Sequence, residues 1–289
     1  MLNPIEKGDK MNIKKELLNN SLNSVRLKIG SSGNLGITRF GGAPDVPDGF
    51  QWECFESESG FDNVVKPRPL TFLAQFDLAE IAKFDTENLL PKTGVLSFFY
   101  EMMSMRWGFD PKDKGCARVY WFEDKSALHR AKFPDDLEKD FRLPEFQIAA
   151  QSEKSFQSCE DFQIQYPNME EDWEEFEAAE ESLGVEEPDE CSKLLGWANP
   201  IQGTMLPDCE LISRGYYLGH GYDEIAPRDL QEAEQRAKSD WVLLFQLDSV
   251  LDCNFNLQFG DSGRIYFYIR REDLAARNFD NVWLFLQCC

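Results

Sequence analysis

Two segments of the chain share one pattern of apolar and polar positions. Residues 70–78 read LTFLAQFDL, and residues 241–249 read WVLLFQLDS. Because strand side chains alternate between two faces, each pattern predicts a strand with one apolar core face. The predicted core faces hold Leu70, Phe72, Ala74, Phe76 and Leu78 in the first segment and Trp241, Leu243, Phe245 and Leu247 in the second. Gln75 and Asp77 match Gln246 and Asp248, and all four are predicted to face away from the core.

A second strand follows each segment after a turn. Residues 94–100 read GVLSFFY, and residues 263–269 read GRIYFYI. The two pairs of strands recur at nearly equal spacing, which favours an internal duplication. We therefore predict an α+β, sheet-rich fold with internally duplicated β-lobes and peripheral helices. Residues 25–289 are interpreted as one domain, with lobe one at about 25–150 and lobe two at about 193–289.

Helical periodicity marks two further parts of the chain. Ile13 and Leu17 recur at helical spacing, so residues 1–24 are predicted to form an N-terminal helical extension. Between the lobes, residues 155–192 contain 14 acidic residues and no Lys or Arg. Trp173 and Phe176 fall on an apolar stripe within this segment. We expect an acidic helix docked by these two rings, with its carboxylates facing solvent.

The charge balance excludes some classes of partner. The chain carries 30 Lys and Arg against 52 Asp and Glu, a formal net charge of −22. Because binding to phosphates needs a basic face, no nucleic-acid partner is expected. The sequence contains neither a long apolar span nor a secretory signal pattern. The protein is therefore predicted to be cytoplasmic, with no membrane partner.

Few residues offer catalytic or metal-binding chemistry. The 8 cysteines lack C-x-x-C spacing, and only two histidines, His129 and His220, are present. This pattern does not suit zinc, and no phosphate-binding glycine motif occurs. We predict no catalytic residues, no metal and no cofactor, and these observations favour a non-enzyme while leaving an enzyme as the alternative.

Several motifs along the chain resemble the YwqG-like family of bacterial proteins, a domain of unknown function. The matching pieces are Arg39 to Pro44 with Gly49 and Trp52, Pro69 to Asp77, Leu90 to Tyr100, Leu194 to Gln202, and Trp241 through Phe267. The resemblance implies a mixed α+β, sheet-rich unit with internal duplication and no established catalytic residues. Because such proteins are often encoded near secreted-toxin loci, the resemblance also implies an immunity or antidote role as an expectation.

The leading functional hypothesis is a protein-binding module whose acidic surface occludes a basic partner, for example a toxin. Concentrated like charge raises the association rate with an oppositely charged surface. The predicted partner-binding residues are Glu170, Glu171, Asp172, Trp173, Glu174, Glu175 and Glu177. The simpler interpretation, that these charges form a solvated face that aids solubility, stays open.

The alternative hypothesis places a small-ligand or hydrolytic site in a cleft between the two lobes. Its predicted lining is Arg39, Gln75, Gln202, His220 and Gln246. Pseudo-symmetric interfaces often form ligand sites, and the matched glutamines suggest a polar lining. A simpler interpretation is that the two amides satisfy backbone groups of adjoining loops, as most side-chain hydrogen bonds do.

Overall fold

The alternating apolar segments form strands of one large sheet. A computed structural model describes residues 11–30, 36–60, 62–167, 173–185, 190–252 and 255–289. Within these ranges the strands are β1 (Leu22–Gly30), β2 (Arg39–Phe40), β3 (Asp45–Pro47), β4 (Cys54–Glu58), β5 (Val65–Pro69), β6 (Thr71–Asp77), β7 (Val95–Tyr100), β8 (Ala117–Phe122), β9 (Leu128–Arg130), β10 (Phe146–Ser155), β11 (Lys193–Leu194), β12 (Trp241–Asp248), β13 (Val250–Asp252), β14 (Phe255–Leu257), β15 (Arg264–Arg270) and β16 (Trp283–Gln287).

The helices lie between and around these strands. In the described residues they are α1 (Ile13–Asn19), α2 (Leu78–Ile81), α3 (Cys159–Gln165), α4 (Trp173–Leu183), α5 (Leu206–Ser213), α6 (Pro227–Asp240) and α7 (Arg271–Ala276). Short 3-10 turns occupy Pro111–Asp113, Lys125–Ala127 and Lys139–Phe141. Proline at the first position of α6 suits a helix start because its missing N–H has no helical partner there. The predicted α+β class is confirmed.

The large sheet is symmetric in its strand order. The order is β16-β15-β12-β11-β1-β10-β2-β6-β7-β8, with antiparallel neighbours throughout. In chain order, repeat one is β1, β2, β6, β7 and β8, and repeat two is β10, β11, β12, β15 and β16. The first strand of each repeat pairs with the second strand of the other, because β1 joins β11 and β10 joins β2. The repeats therefore exchange their first strands at the centre of the sheet.

A β-bulge interrupts the same position in both repeats. The register of β6 against β7 shifts between Phe72 and Ala74, and that of β12 against β15 shifts between Leu243 and Phe245. A bulge inserts one residue, so side chains before and after it change faces. The prediction of one core face was therefore wrong for the residues before each bulge. Leu70 and Phe72 pack away from Phe76, as Trp241 and Leu243 pack away from Phe245.

Both repeats bury their apolar faces in one shared core. The ring of Phe98 in β7 lies 4.6 Å from that of Phe245 in β12, between centroids, and 5.2 Å from that of Phe267 in β15. The two ends of the sheet also approach one another. The Leu286 N–H of β16 donates to the Trp107 carbonyl in the β7–β8 loop at 3.0 Å. The sheet therefore curls around a core to which both repeats contribute.

A separate small cluster attaches the helices of the acidic segment. Ile13 and Leu17 of α1 pack with Phe162 of α3 and Phe176 of α4. The segment predicted to hold one acidic helix holds two helices in its described part, and β10 runs to its first residue, Ser155. At the N-terminus, β1 begins at Leu22, inside the stretch predicted as a helical extension. Among the described residues, no helix is long and apolar enough to cross a bilayer.

Candidate functional site

Gln75 of β6 lies buried beside the loop that follows β2. Its Oε1 accepts hydrogen bonds from the Asp45 backbone N–H at 2.8 Å and from Arg39 Nη2 at 3.3 Å. Its Nε2 donates to the Ile37 carbonyl at 2.9 Å and to Asp45 Oδ2 at 2.8 Å. The amide therefore joins the chain just before β2 and the first residue of β3 to β6.

Gln246 of β12 has the same role in repeat two. Its Oε1 accepts from the Asn199 N–H at 2.9 Å, and its Nε2 donates to the Cys191 carbonyl at 2.5 Å and to Asn199 Oδ1 at 3.3 Å. Asn199 thus takes the place of Asp45, and Cys191 takes the place of Ile37. The matched glutamines hold matched loops, as the simpler interpretation of the sequence stated.

A buried cation accompanies each glutamine. Arg39 pairs with Gln75 across β2 and β6, and Lys193 pairs with Gln246 across β11 and β12. Arg39 Nη2 donates to the Ala43 carbonyl at 2.7 Å, and Lys193 Nζ donates to the Trp197 carbonyl four residues on at 2.8 Å. Burial lowers the pKa of Lys193 to about 8. Each cation therefore binds a backbone carbonyl of the loop that follows its own strand, the loop after β2 for Arg39 and the loop after β11 for Lys193.

The Arg39 guanidinium sits in a denser ion network than Lys193. It contacts Asp45 at 2.7 Å and Glu145 at 3.5 Å, and Arg130 reaches the same two carboxylates from the surface. Burial raises the pKa of Asp45, but hydrogen bonds from Arg39, Gln75 and Arg130 outweigh it and hold that pKa below its usual range. These contacts stabilise a loop and leave the guanidinium only 1% exposed.

The structure does not bring the five predicted cleft residues together. Arg39 and Gln75 share one network in repeat one, whereas Gln246 is buried in its own network in repeat two. Gln202 is exposed in the loop held by Gln287, whose Oε1 accepts the Ile201 and Gln202 N–H groups. His220 is exposed in a turn near Tyr217, with 5.3 Å between ring centroids.

The acidic surface predicted for partner binding lies on α4. Glu170, Glu171 and Asp172 fall outside the described residues. Glu174 and Glu177 are exposed, as is Glu181 one turn further on, and Glu175 is half-buried. Phe176 is buried against α1 and α3, so one face of α4 docks and the other carries carboxylates. We call Trp173, Glu174, Glu177 and Glu181 the acidic face.

Trp173 does not dock as predicted. Its side chain is 50% exposed at the first turn of α4, and its indole N–H donates to Glu177 Oε1 at 2.7 Å. Phe176 packs between α1 and α3 with Ala179, and the Trp173 ring stacks at the edge of this cluster, 6.5 Å from that of Phe176 between centroids. The acidic face therefore presents an indole ring to solvent among carboxylates.

In the described residues, no cation lies within ion-pair distance of the carboxylates of the acidic face, and Lys14 of α1 instead donates to the Ser182 carbonyl near the end of α4. Between described residues, no ion pair involves Glu174, Glu177 or Glu181. Burial raises the pKa of neighbouring Glu180, and the charges of Glu177 and Glu160 raise it further. The carboxylates of α3 and α4 thus repel one another and form a negative patch.

One carboxylate of the acidic segment lies inside the protein. Asp161 on α3 is 5% exposed, and its Oδ1 accepts a hydrogen bond from the Thr204 hydroxyl at 2.5 Å. Burial raises the pKa of Asp161 to about 6. Composition alone counted Asp161 with the surface charges, and its place three residues after the helix-capping Ser158 gave no sign of burial.

A second buried carboxylate, Asp208 on α5, predicts a pH effect on stability. Burial raises its pKa to about 6, and the Tyr222 hydroxyl donates to its Oδ1 at 2.6 Å. Because the folded state holds the proton more tightly than the unfolded state, stability from this group is present at low pH and falls as pH rises toward 6. Asp208→Asn removes this pH dependence, because asparagine does not titrate. The free energy of unfolding of the variant minus that of the native protein should therefore be about 1 kcal/mol larger at pH 7.5 than at pH 5.

Urea unfolding at both pH values measures this difference. Asp223→Asn is the control, because Asp223 is exposed in the same region. An Asp208→Asn variant whose stability relative to the native protein is the same at both pH values would show that Asp208 does not titrate in this range.

Comparison with known proteins identifies the family of the chain. No curated protein matches the sequence. One family model, described as a domain of unknown function, matches residues 38–288, from the residue before β2 to the residue after β16. The match leaves out α1 and β1, so the strand that repeat one exchanges lies outside it. The matched part covers most of the 289 residues, and the chain therefore belongs to the DUF1963 family.

Proposed function

We propose that this chain is a cytoplasmic, YwqG-like protein-binding module that acts as an immunity or antidote protein. In this proposal the protein is not an enzyme, and it works by occluding a basic surface of a toxin. The observation that carries the proposal is the half-exposed indole of Trp173 among carboxylates that have no cationic partner in the described residues. The partner is therefore a basic protein with an apolar recess for one ring.

The charge of the acidic face supplies the first part of the binding. Glu174, Glu177 and Glu181 lie at helical spacing and are exposed. Focused charge of one sign raises association rates with an oppositely charged protein by about 10- to 1,000-fold at low salt. Because these carboxylates make no ion pair with another described residue, a partner's lysines and arginines do not have to displace a cation of the described part of the chain.

The exposed indole supplies the second part. Tryptophan is enriched among the residues that dominate binding energy, since a large ring buries much area at low entropic cost. The hydrogen bond from the Trp173 indole to Glu177 fixes the ring on the surface before a partner arrives. Phe176 and Ala179 anchor α4 beneath it, so the indole stands on a docked helix.

Reversing the charge of the acidic face is expected to abolish capture of the partner. The variant carries Glu174→Lys, Glu177→Lys and Glu181→Lys. The control carries Asp261→Lys, Glu272→Lys and Asp280→Lys, which change the net charge equally at exposed positions elsewhere. Each protein is immobilised and exposed to lysate and secreted proteins of the source cell at about 0.1 M and 1 M salt, where screening lengths are about 10 and 3 Å.

The proposal predicts one basic protein that the native chain and the control capture at low salt and the acidic-face variant does not. Capture should weaken at high salt, since the charges on both surfaces are exposed. A protein captured equally by the native chain and the acidic-face variant would contradict the proposal, as would the absence of any specifically captured protein.

Small-ligand binding is a second proposal, at a different place from the five residues first considered. Gln75 and Gln246 have their hydrogen bonds satisfied within the protein, and Gln202 and His220 lie on the surface. A cavity beside Asp161 favours a ligand site there instead.

A further inference from the structure

A cavity that is open to solvent lies where the acidic segment meets repeat two. Its volume is about 370 Å³, within the usual range of small-molecule sites. The C-terminal end of α1, helix α3, the loop after β11 and the first residues of β12 form its walls. Its polar, charged and aromatic lining includes Asn20, Asp161, Trp197, Trp241, Tyr268 and Arg271.

Two buried polar side chains line this cavity with hydrogen-bonding capacity unused. Asp161 is 5% exposed, its Oδ1 accepts a hydrogen bond from the Thr204 hydroxyl, and the Ser158 side chain also lies beside its carboxylate. Tyr268 is 3% exposed, and its hydroxyl has no hydrogen-bond partner in the described part of the chain. Because the cavity is open, water or a bound molecule can reach both groups and complete their hydrogen bonds. Both groups line the same cavity, and a ligand there would supply their partners.

The internal duplication provides a comparison for Tyr268. The corresponding residue of repeat one is Phe99, because β7 and β15 align at the positions opposite Asp77 and Asp248. The ring of Phe99 is covered by the rings of Trp52 at 5.6 Å and Phe50 at 6.1 Å, between centroids. Repeat one therefore closes this position with aromatic rings. Repeat two has a hydroxyl and a cavity at the same position.

The lining favours a cation. Asp161 and Glu87 bring two carboxylates to the cavity, against one guanidinium, that of the exposed Arg271. Trp197, Trp241 and Tyr268 contribute aromatic rings, whose faces attract ammonium groups. Trp241 already makes such a contact with Arg270, whose guanidinium carbon lies 4.6 Å from the ring centroid. The same rings offer an apolar surface for the rest of a small molecule.

We propose that this cavity binds a small organic amine, with the ammonium group held by Asp161 and Tyr268 and the apolar body held between Trp197 and Trp241. This site does not depend on the acidic face of α4 or on a protein partner. Free amines and amino acids share the ammonium chemistry. An amino acid would in addition place its carboxylate near Arg271.

The test is a thermal-shift titration of the full chain with defined probes. The amines are 2-phenylethylamine, tryptamine, cadaverine and choline, and L-phenylalanine is the amino-acid probe. The neutral control is 2-phenylethanol. A probe present at about ten times its Kd should raise the Tm by about 2 °C or more. We expect at least one of the amines or L-phenylalanine to do so and 2-phenylethanol to have no effect. L-phenylalanine acting more strongly than 2-phenylethylamine would identify an amino-acid site.

Two variants connect the binding to the cavity. Tyr268→Phe introduces the residue that repeat one has at this position, so it is expected to fold, and it should weaken binding at least about fivefold through loss of one hydrogen bond. Asp161→Asn should abolish amine binding. Tyr120→Phe is the control, since Tyr120 packs in the aromatic cluster of repeat one. No shift with any amine or amino acid, an equal shift with 2-phenylethanol, or unchanged binding in Tyr268→Phe would overturn the proposal.

Discussion

Replacement of Arg39 by methionine is expected to lower the free energy of unfolding by about 3–5 kcal/mol. The guanidinium is buried and holds the Ala43 and Ile37 carbonyls, Asp45 and Gln75. Its removal leaves the Ala43 carbonyl without its donor and takes the buried cation away from Asp45, which then keeps only Arg130 at the surface and the Gln75 amide. Urea unfolding followed by circular dichroism measures the loss.

Arg39→Lys is the matched control, because repeat two uses Lys193 at the corresponding position. A lysine keeps the charge and can reach the loop carbonyl, as Lys193 reaches that of Trp197. We expect the lysine variant to lose less than half as much stability as the methionine variant. Equal losses in both variants would show that the duplicated loop clamp has no energetic role.

Replacement of Gly108 by alanine is expected to destabilise the closure of the sheet by about 3 kcal/mol or more. Gly108 has φ +84°, and a Cβ at this position would lie far inside contact distance of the Leu284 carbonyl oxygen in β16. The backbone conformation costs an L-residue about 1–2 kcal/mol, and overpacking against a backbone atom costs about 1–3 kcal/mol more. Thermal and urea unfolding measure the effect.

Gly203→Ala separates the cost of the backbone conformation from the cost of the steric clash. Gly203 has φ +99° but open space around its Cβ direction, so this variant carries the conformational strain without the clash. We expect its loss to be clearly smaller than that of Gly108→Ala. If Gly108→Ala were as stable as Gly203→Ala, the β7–β8 loop would not approach β16 as closely as the structure describes.

The internal duplication could be predicted because matched residues recur at a constant spacing. Gln75 and Gln246 are the clearest example, since each makes the corresponding hydrogen bonds in its own repeat. The exchange of β1 and β10 between the repeats could not be predicted in this way. Strand pairing depends on which edges meet in space, and β1 and β10 carry no matched motif. The bulges at Leu73 and Leu244 were also missed. Both strands have apolar residues at nearly every position around the bulge, so the sequence fits a strand with or without the inserted residue.

The sequence predicted the charge of the acidic segment, but it predicted the burial of individual side chains in that segment only in part. The acidic segment was evident from composition, and the docking of Phe176 followed from helical spacing. Trp173 lies one turn away on the same apolar stripe, yet α1 and α3 leave its ring half-exposed. Asp161 belongs to the same acidic segment but is buried, because α3 packs beside α6 and Thr204 binds its carboxylate. Burial of this kind is a tertiary property, and local pattern carries no information about it.

The most direct test of the proposed function is the association rate of the captured basic partner with the native chain and with two variants. These are the acidic-face variant, with lysine at residues 174, 177 and 181, and the control with lysine at residues 261, 272 and 280. Stopped-flow measurements at about 0.05 M and 0.5 M salt span strong and weak screening.

If the acidic face guides the partner, the acidic-face variant associates at least about tenfold more slowly at low salt and shows little dependence on salt. The control then keeps most of the native rate and its salt dependence, although its net charge is the same as that of the acidic-face variant. Equal association rates for the two variants would contradict the proposal, because overall charge rather than the acidic face of α4 would then set the rate.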